Sequence, residues 1–557
     1  MQPMQVERRI GGAGTGKTQF ILDEMDRIRE DCGIRHNEII FATFTKSGCA
    51  VMGHRAEERW GLAPGDLTRG GNFRTVHGTA YRALGVDKEQ LIGDDSPSLA
   101  WTGEQIGIDL AADTDDYGNL VYRSLSADGT DEAASLALWD LARTRLCLME
   151  EIISERLEAG DPVPPRETIE YIVTRYESAK RIHEKLDYCD IVLKFSGIRM
   201  SLDGPKLCEP SGELPEGCRA LFVDECQDNS ALVDMALMRV AHSPGMQHVL
   251  LVGDPFQSIF ESFAGGSARH FTAWPARQSV MPKSYRCPPD IMELGEQCLK
   301  EMTAGYWDRQ IAPADHSGLV TQSGAPLDAI EEHLDLAEET LIISRCSYAL
   351  EIYREILEDK DIPYIRIGHR GEPESIGLSA FWSLQSGKVI AGEDWRCAID
   401  LIPVKHREFG ELLVEGEKTA WLTGERSHLD ILCPADLEMA GCTSLLANII
   451  RRGDWLPLLT PAKQESALKW INLAKRHGPD LATRPKVRLG TIHSSKGLEA
   501  DTVILSTQSS RRVERGRSMS TLRHDEECRV NYVAVTRARR KLVIVEDGLR
   551  QRLILPW

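Results

Sequence analysis

Short apolar runs bounded by turn residues recur along the chain with helical stretches between them: Ile39–Phe44, Ala220–Val223, His248–Val252, Leu341–Ser344 and Thr502–Leu505. Their alternation with longer amphipathic stretches predicts parallel strands joined by crossover helices. The fold class is α/β. The runs fall into two groups separated near Met281–Pro289, which predicts two parallel-sheet cores with ligand chemistry at the carboxyl ends of their strands. Two stretches interrupt the alternation. Residues 86–204 are helix-rich, with charged amphipathic runs over 134–158 and 167–185, and residues 372–484 mix short segments before Pro485. Both read as insertions. The expected division is therefore 1–85 with 205–283 for the first core, 284–371 with 485–557 for the second, and 86–204 and 372–484 as inserted, largely helical units. No internal repeat or low-complexity tract is evident.

Near its start the chain carries Gly11-Gly12-Ala13-Gly14-Thr15-Gly16-Lys17-Thr18, a complete GxxxxGK[ST] phosphate-binding loop. Phe20, Ile21, Met25 and Ile28 follow at helical spacing, so the loop opens a helix whose N-terminal dipole points at phosphate. The glycines let backbone N–H groups approach the β- and γ-phosphates, Lys17 adds a point charge, and the Thr18 hydroxyl is placed to ligate Mg²⁺. Farther on, Ala220–Val223 delivers Asp224 and Glu225 at its carboxyl end. With a phosphate loop upstream, Asp224 is the candidate to hold Mg²⁺, directly or through water. Glu225 is then the candidate to orient and deprotonate the attacking water. An acidic pair at a strand end is otherwise as compatible with a solvated surface.

Composition adds limits. With 42% hydrophobic and 27% charged residues, the 557-residue chain can bury several cores, and no apolar run approaches the roughly 18 residues of a membrane span. A cytoplasmic protein without a membrane partner is expected. The 14 cysteines are scattered singly, which points to reduced thiols and not to a disulfide framework or zinc site. A net charge of −19 argues against a broad nucleic-acid-binding surface. A motor tracking one strand, however, needs only a donor-rich groove with stacking faces.

After the apolar run His248–Val252 comes Gly253-Asp254-Pro255-Phe256-Gln257-Ser258-Ile259-Phe260. With Ser284-Tyr285-Arg286-Cys287-Pro288, Gly490-Thr491-Ile492-His493-Ser494-Ser495-Lys496-Gly497-Leu498-Glu499 and Asn531-Tyr532-Val533-Ala534-Val535-Thr536-Arg537-Ala538-Arg539, it makes the chain resemble UvrD/Rep/PcrA-type helicases of superfamily 1. The likeness spans about residues 8–545 with the motifs in family order. Thr43-Phe44-Thr45-Lys46, Thr75-Val76-His77 and Leu186-Asp187-Tyr188-Cys189-Asp190-Ile191 fit its lesser motifs.

The resemblance implies two RecA-like cores with ATP and Mg²⁺ in the cleft between them. It implies a catalytic set of Lys17, Glu225, Gln257, Arg286 and Arg537, in which Gln257 senses the γ-phosphate and the two arginines reach it from the second core. Arginine suits this because its guanidinium stays charged and forks onto phosphate oxygens. Tyr285 is implied to stack on adenine and Glu499 to lie near the ribose. Strand contacts are implied for Phe44, Thr45, His77, Phe260, Phe263, Thr491 and His493. Outside the motif frame, Tyr285 could be a core aromatic, Phe44 and Phe260 could simply close a core, Phe44 directly continuing an apolar strand, and Arg537 could be one of several surface arginines beside Arg539 and Arg540.

Four departures stand out. Only Met1–Ile10 precede the phosphate loop, without a glutamine at the family's spacing, so adenine is expected to be held mainly by stacking on Tyr285. The third motif is one residue longer between its aromatics than the usual pattern. Ala500 replaces a common aromatic. The second insertion is shorter than the family's fourth subdomain. The implied function is a DNA-dependent ATPase that translocates on single-stranded DNA, 3′ to 5′ by resemblance, and unwinds duplex at junctions, with replication or repair proteins as further partners. The rivals are an ATP-gated strand-binding regulatory subunit with little unwinding and a 5′ to 3′ motor of the same superfamily.

Overall fold

The computed structural model describes residues 4–93, 96–108, 110–114, 120–124, 130–368, 372–423, 426, 431–546, 553 and 555–556. Six parallel strands form the first sheet: β1 (Gln5–Ile10), β2 (Ile39–Ala42), β3 (Phe73–Arg74), β4 (Ala220–Val223), β5 (His248–Gly253) and β6 (Arg277–Val280), in the order β6-β1-β5-β4-β2-β3. Six more form the second: β7 (Leu319–Ser323), β8 (Thr340–Ser344), β9 (Tyr364–Arg366), β10 (Val487–Thr491), β11 (Ala500–Ser506) and β12 (Ala538–Val545), ordered β7-β12-β11-β8-β10-β9.

The continuous apolar runs are explained by burial on both faces. Ile39, Phe41, Phe222, Leu250 and Val252 point to a layer containing Ile21, Leu22, Met25 and Ile28 of helix Lys17–Cys32. Their neighbours Ile40, Ala42, Leu221, Val223, Val249 and Leu251 face helices Tyr188–Ser196 and Ala231–Ala241. The period of two along each strand thus divides one run between two cores. In the second sheet, Leu341, Ile343, Val503 and Leu505 share a cluster with helices Pro289–Lys300 and Thr521–Val535. The first core's Ala13, Phe256, Ile259 and Phe260 sit in that same cluster, so apolar contact joins the two cores.

The inserted units have cores of their own. Residues between Leu378 and Ala482 form one cluster, in which the Phe381 and Trp455 rings stack at 4.8 Å. Residues between Ile92 and Tyr176 form the other, around Trp139. Helix Tyr188–Ser196 lies within the 86–204 stretch, yet Ile191, Val192, Leu193 and Phe195 bury against the first sheet. The chain therefore returns to the first core ahead of residue 204. Its entry is fixed by Asp187, which caps that helix by accepting from the Asp190 N–H at 2.8 Å.

Candidate nucleotide site and strand groove

Parallel register brings the first core's chemistry together. Ile10 lies opposite Gly253, and Val223 opposite Leu251, so the turns leaving β1, β5 and β4 emerge side by side. They carry the phosphate loop, Asp254–Gln257 and Asp224–Asp228. Gly14 and Gly16 take φ of +68° and +81°, in the left-handed region. A Cβ on Gly14 would also fall 2.2 Å from the Cβ of Arg286, so both conformation and space require glycine there.

The second core closes over this loop. Ser284 Oγ donates to the Ala13 carbonyl at 2.8 Å, and the Tyr285 N–H donates to the Gly14 carbonyl at 2.8 Å. The Tyr285 ring is 71% exposed and lies 3.9 Å from where a Cβ on Gly16 would be, an open aromatic face beside the loop. Arg286 pairs with Glu499 and donates to the Thr536 carbonyl at 3.4 Å. Arg537, the next residue, is buried; its Nε donates to Val533 O and its Nη1 to Leu498 O. Its Nη2 and the Arg286 Nε are buried without a hydrogen-bond partner among the described residues. Burial, with Arg286 beside it, lowers the Arg537 guanidinium to about 10. Two adjacent cations with unused buried donors form a site short of an anion.

Glu499 and Arg537 reach this cleft from just before the amino ends of β11 and β12, whereas Thr491 ends β10 at its carboxyl end. Carboxyl-end chemistry thus describes the first core fully, and the second core only through the turn that leaves β10 and carries Lys496. The second core brings cations, which a helix-to-strand turn can supply as readily as a strand end.

Glu225 has φ +53°, a left-handed conformation that costs a non-glycine residue roughly 1–2 kcal/mol. Neighbouring bonds hold it. Gln227 Nε2 donates to Glu225 Oε2 at 2.6 Å and to Asp228 Oδ2 at 3.0 Å, while Gln227 Oε1 accepts from the Asp254 N–H at 2.9 Å. Burial opposes ionisation of Glu225, but Lys17, Lys496, Gln227 and Arg537 outweigh it and hold the carboxyl below its usual range. Burial and the Glu225 charge push Asp224 up to about 7, with Lys17 opposing. A divalent cation would relieve this crowding. The Thr18 hydroxyl and Asp224 carboxylate are the hard oxygen donors Mg²⁺ takes when phosphates and water complete its shell. Among the described residues no group of three or more His, Cys, Asp or Glu could hold a metal by itself.

Three further residues contribute, Arg309 outside the motifs and Tyr532 and Lys496 within motifs that assign them no role. Arg309 is buried, donates to Asp254 Oδ1 at 2.7 Å and to Glu296, and lies over the rings of Phe256 and Tyr532. The Tyr532 hydroxyl accepts from the Ala13 N–H at 3.2 Å, so a phosphate-loop amide, Tyr532, Arg309 and Asp254 form one network. Asp254 also accepts from Gln257 Nε2 at 2.9 Å. Lys496 of the second core donates to both Asp228 oxygens at 2.6 Å and to the Gln257 carbonyl. A buried Asp254 signals in sequence the need for a cation, but nothing local to Arg309 identifies it as that partner.

A groove of about 1760 Å³ runs between both cores and both inserted units. Its lining has nine Lys and Arg against six Asp and Glu, the reverse of the chain's 66 against 85. Phe44, Thr45 and His77 line it. Thr45 caps helix Lys46–Trp60 by accepting from the Gly48 N–H at 3.0 Å. His77 packs edge-on against Tyr188, and burial, with Lys46 nearby, lowers its imidazole to about 4. Phe260 is only 2% exposed, stacked on Phe44 at 6.2 Å, 6.0 Å from His493, with Lys496 Nζ 4.6 Å from its ring centroid. Thr491 and His493 are buried, and burial holds His493 well below the usual imidazole range. Phe44 and Phe260 stack and His493 packs tilted against Phe260, so the three rings form one aromatic cluster joining the cores, with Phe44 at the groove wall. The Phe263 side chain lies outside the described residues.

A phosphate loop thus faces arginines of a second parallel-sheet core, beside a groove lined by nine Lys and Arg. Residues 3–274 match the UvrD/REP helicase N-terminal domain, and residues 460–546 the UvrD-like helicase C-terminal domain. The chain belongs to the UvrD-like helicase family. It is 25% identical to YjcD of Bacillus subtilis over 260 residues, 46% of this chain and 31% of that one. It is 24% identical to the ATP-dependent DNA helicase UvrD2 of Mycobacterium bovis over 391 residues, 65% and 53% of the two chains. It is 22% identical to DNA helicase II of Escherichia coli over 293 residues, 51% and 36%. The alignments thus span between about a third and a half of these relatives' own lengths.

Proposed function

We propose that the protein is an ATP-hydrolysing motor that moves along single-stranded DNA, 3′ to 5′, and separates duplex ahead of it. The observation that carries this reading is Arg286 packed against Gly14 of the other core's phosphate loop, with Arg537 beside it acting on Glu225, and with guanidinium nitrogens of both buried without a hydrogen-bond partner among the described residues. Lys17 and the loop amides bind the β- and γ-phosphates, and Thr18 with Asp224 would hold Mg²⁺, which would neutralise phosphate charge. Glu225 takes the proton of an in-line water. Gln257 faces the γ-phosphate, and Tyr285 stacks on the adenine. The names of relatives, ATP-dependent DNA helicase and DNA helicase II, support the substrate.

Lys496 supports coupling, because one ammonium ties Asp228 and the Gln257 carbonyl beneath the Phe260 ring that backs Phe44. A change at Gln257 is one side chain from the groove wall. The test is ATP hydrolysis with and without single-stranded DNA. Strong stimulation, lost together with turnover in Arg537→Ala, supports the motor; a rate indifferent to DNA contradicts it.

A further inference from the structure

Helix Arg511–Met519 has no part in the nucleotide site, yet it packs four arginines against one glutamate into nine residues of a chain with net charge −19. Arg511, Arg512 and Arg515 are exposed. The helix is anchored to the first inserted unit through Asp161, whose carboxylate accepts from Arg512 Nε at 2.8 Å, Arg156 Nη1 at 3.1 Å and Arg523 Nη2 at 3.1 Å. Arg515 lies against Gly160, where a Cβ would come within 2.6 Å of its Nε. Arg512 is itself part of the groove lining. Arg523 also lies 3.8 Å from Glu526, but one carboxylate shared with Arg512 and Arg156 still leaves positive charge at this edge of the groove, and exposed Arg511 and Arg515, one helical turn apart, extend it outward.

We infer that helix Arg511–Met519 is a phosphate-binding rail that takes the nucleic-acid backbone where it leaves the groove. The inference rests on the strand-translocase reading and adds a contact outside the groove itself. Guanidinium groups at i and i+4 present fork donors along one helix face, suited to successive phosphate oxygens and indifferent to base identity. An acidic polypeptide could use the same charge, but continuity with a cation-lined groove spanning four units favours a strand.

The test uses the full chain and fluorescently labelled oligo(dT) of increasing length, titrated against KCl. For oligonucleotides long enough to leave the groove, Arg511→Ala/Arg515→Ala should reduce the slope of log K against log [salt] by about 1.4, two phosphates at about 0.7 each for single strands. Short oligonucleotides should bind the variant and parent alike, and Arg511→Lys/Arg515→Lys should restore most of the slope. Melting temperatures should match the parent, which excludes misfolding. An unchanged slope on long oligonucleotides, with the parent binding normally, overturns the rail alone. A parent with no salt-dependent binding to any length overturns the strand-translocase reading and the rail with it. Binding of poly-glutamate that is lost in the double variant, while DNA binding persists, reassigns the helix to an acidic protein partner and overturns the proposal.

Discussion

Replacing Phe44 and Phe260 by alanine, one at a time, separates groove wall from core. Phe260 is 2% exposed within the cluster that joins the cores, so Phe260→Ala removes a fully buried ring and leaves a cavity, a loss of about 3–5 kcal/mol. Phe44 is half-buried and lines the groove, so its truncation costs about half as much stability while removing the one face of the stack open to a base. Base stacking on an aromatic contributes on the order of 1–3 kcal/mol, or about 5- to 140-fold in Kd. Thermal melting combined with fluorescence anisotropy on oligo(dT) reads both quantities. The expected result is that Phe44→Ala melts within a few degrees of the parent and binds DNA at least about fivefold more weakly. Phe260→Ala should melt well below the parent and lose ATP hydrolysis and DNA binding together. A Phe260→Ala variant that melts like the parent yet binds DNA weakly would mean that a base reaches Phe260, and a Phe44→Ala variant that binds DNA unchanged would mean that no base stacks on Phe44.

Glu225→Gln keeps the side chain's shape and its hydrogen-bond acceptor for Gln227, so ATP binding by equilibrium titration should persist while single-turnover hydrolysis falls at least about a hundredfold, or about 2.7 kcal/mol. Arg309→Ala leaves Asp254 as an unpaired buried charge and should destabilise the protein by about 3–5 kcal/mol in chemical denaturation, with partial recovery on adding Asp254→Asn. Asp234, buried and bonded to Trp274 Nε1 at 2.6 Å, is pushed up to about 6 by burial, with that bond opposing. Its folded value exceeds the unfolded one, so its favourable contribution is complete below about pH 4 and is lost as pH rises through about 6. Asp234→Asn should therefore gain stability over the parent progressively from pH 4 to pH 7, by an amount on the order of 2–3 kcal/mol in chemical denaturation; a constant stability difference across that range would contradict the assignment.

The doubly buried strands were legible because burial on both faces leaves continuous apolar runs, and Ile39–Ala42, Ala220–Val223 and Thr340–Ser344 are such runs. The phosphate loop was legible because its function is carried by backbone geometry, which demands glycine at Gly14 and Gly16 whatever surrounds them. Side chains whose role comes from distant partners left no such trace. Arg309 acts through Asp254, 55 residues away, and Lys496 through Asp228, 268 residues away, and no local spacing encodes either pairing. Phe260 followed a motif that suggested a strand contact, yet the stack places Phe44 between it and the groove. Helix Tyr188–Ser196 read as part of an insertion because amphipathic periodicity marks a buried face without saying which core it faces.

Strand displacement from duplexes with a single-stranded tail on either the 3′ or the 5′ side separates a 3′ to 5′ motor from its rivals. With ATP and Mg²⁺, the labelled strand should be released from the 3′-tailed duplex, but not with a non-hydrolysable ATP analogue and not by Glu225→Gln. Release from only the 5′-tailed duplex would reverse the polarity. DNA-stimulated hydrolysis without release from either substrate would contradict the motor and favour an ATP-gated strand-binding subunit.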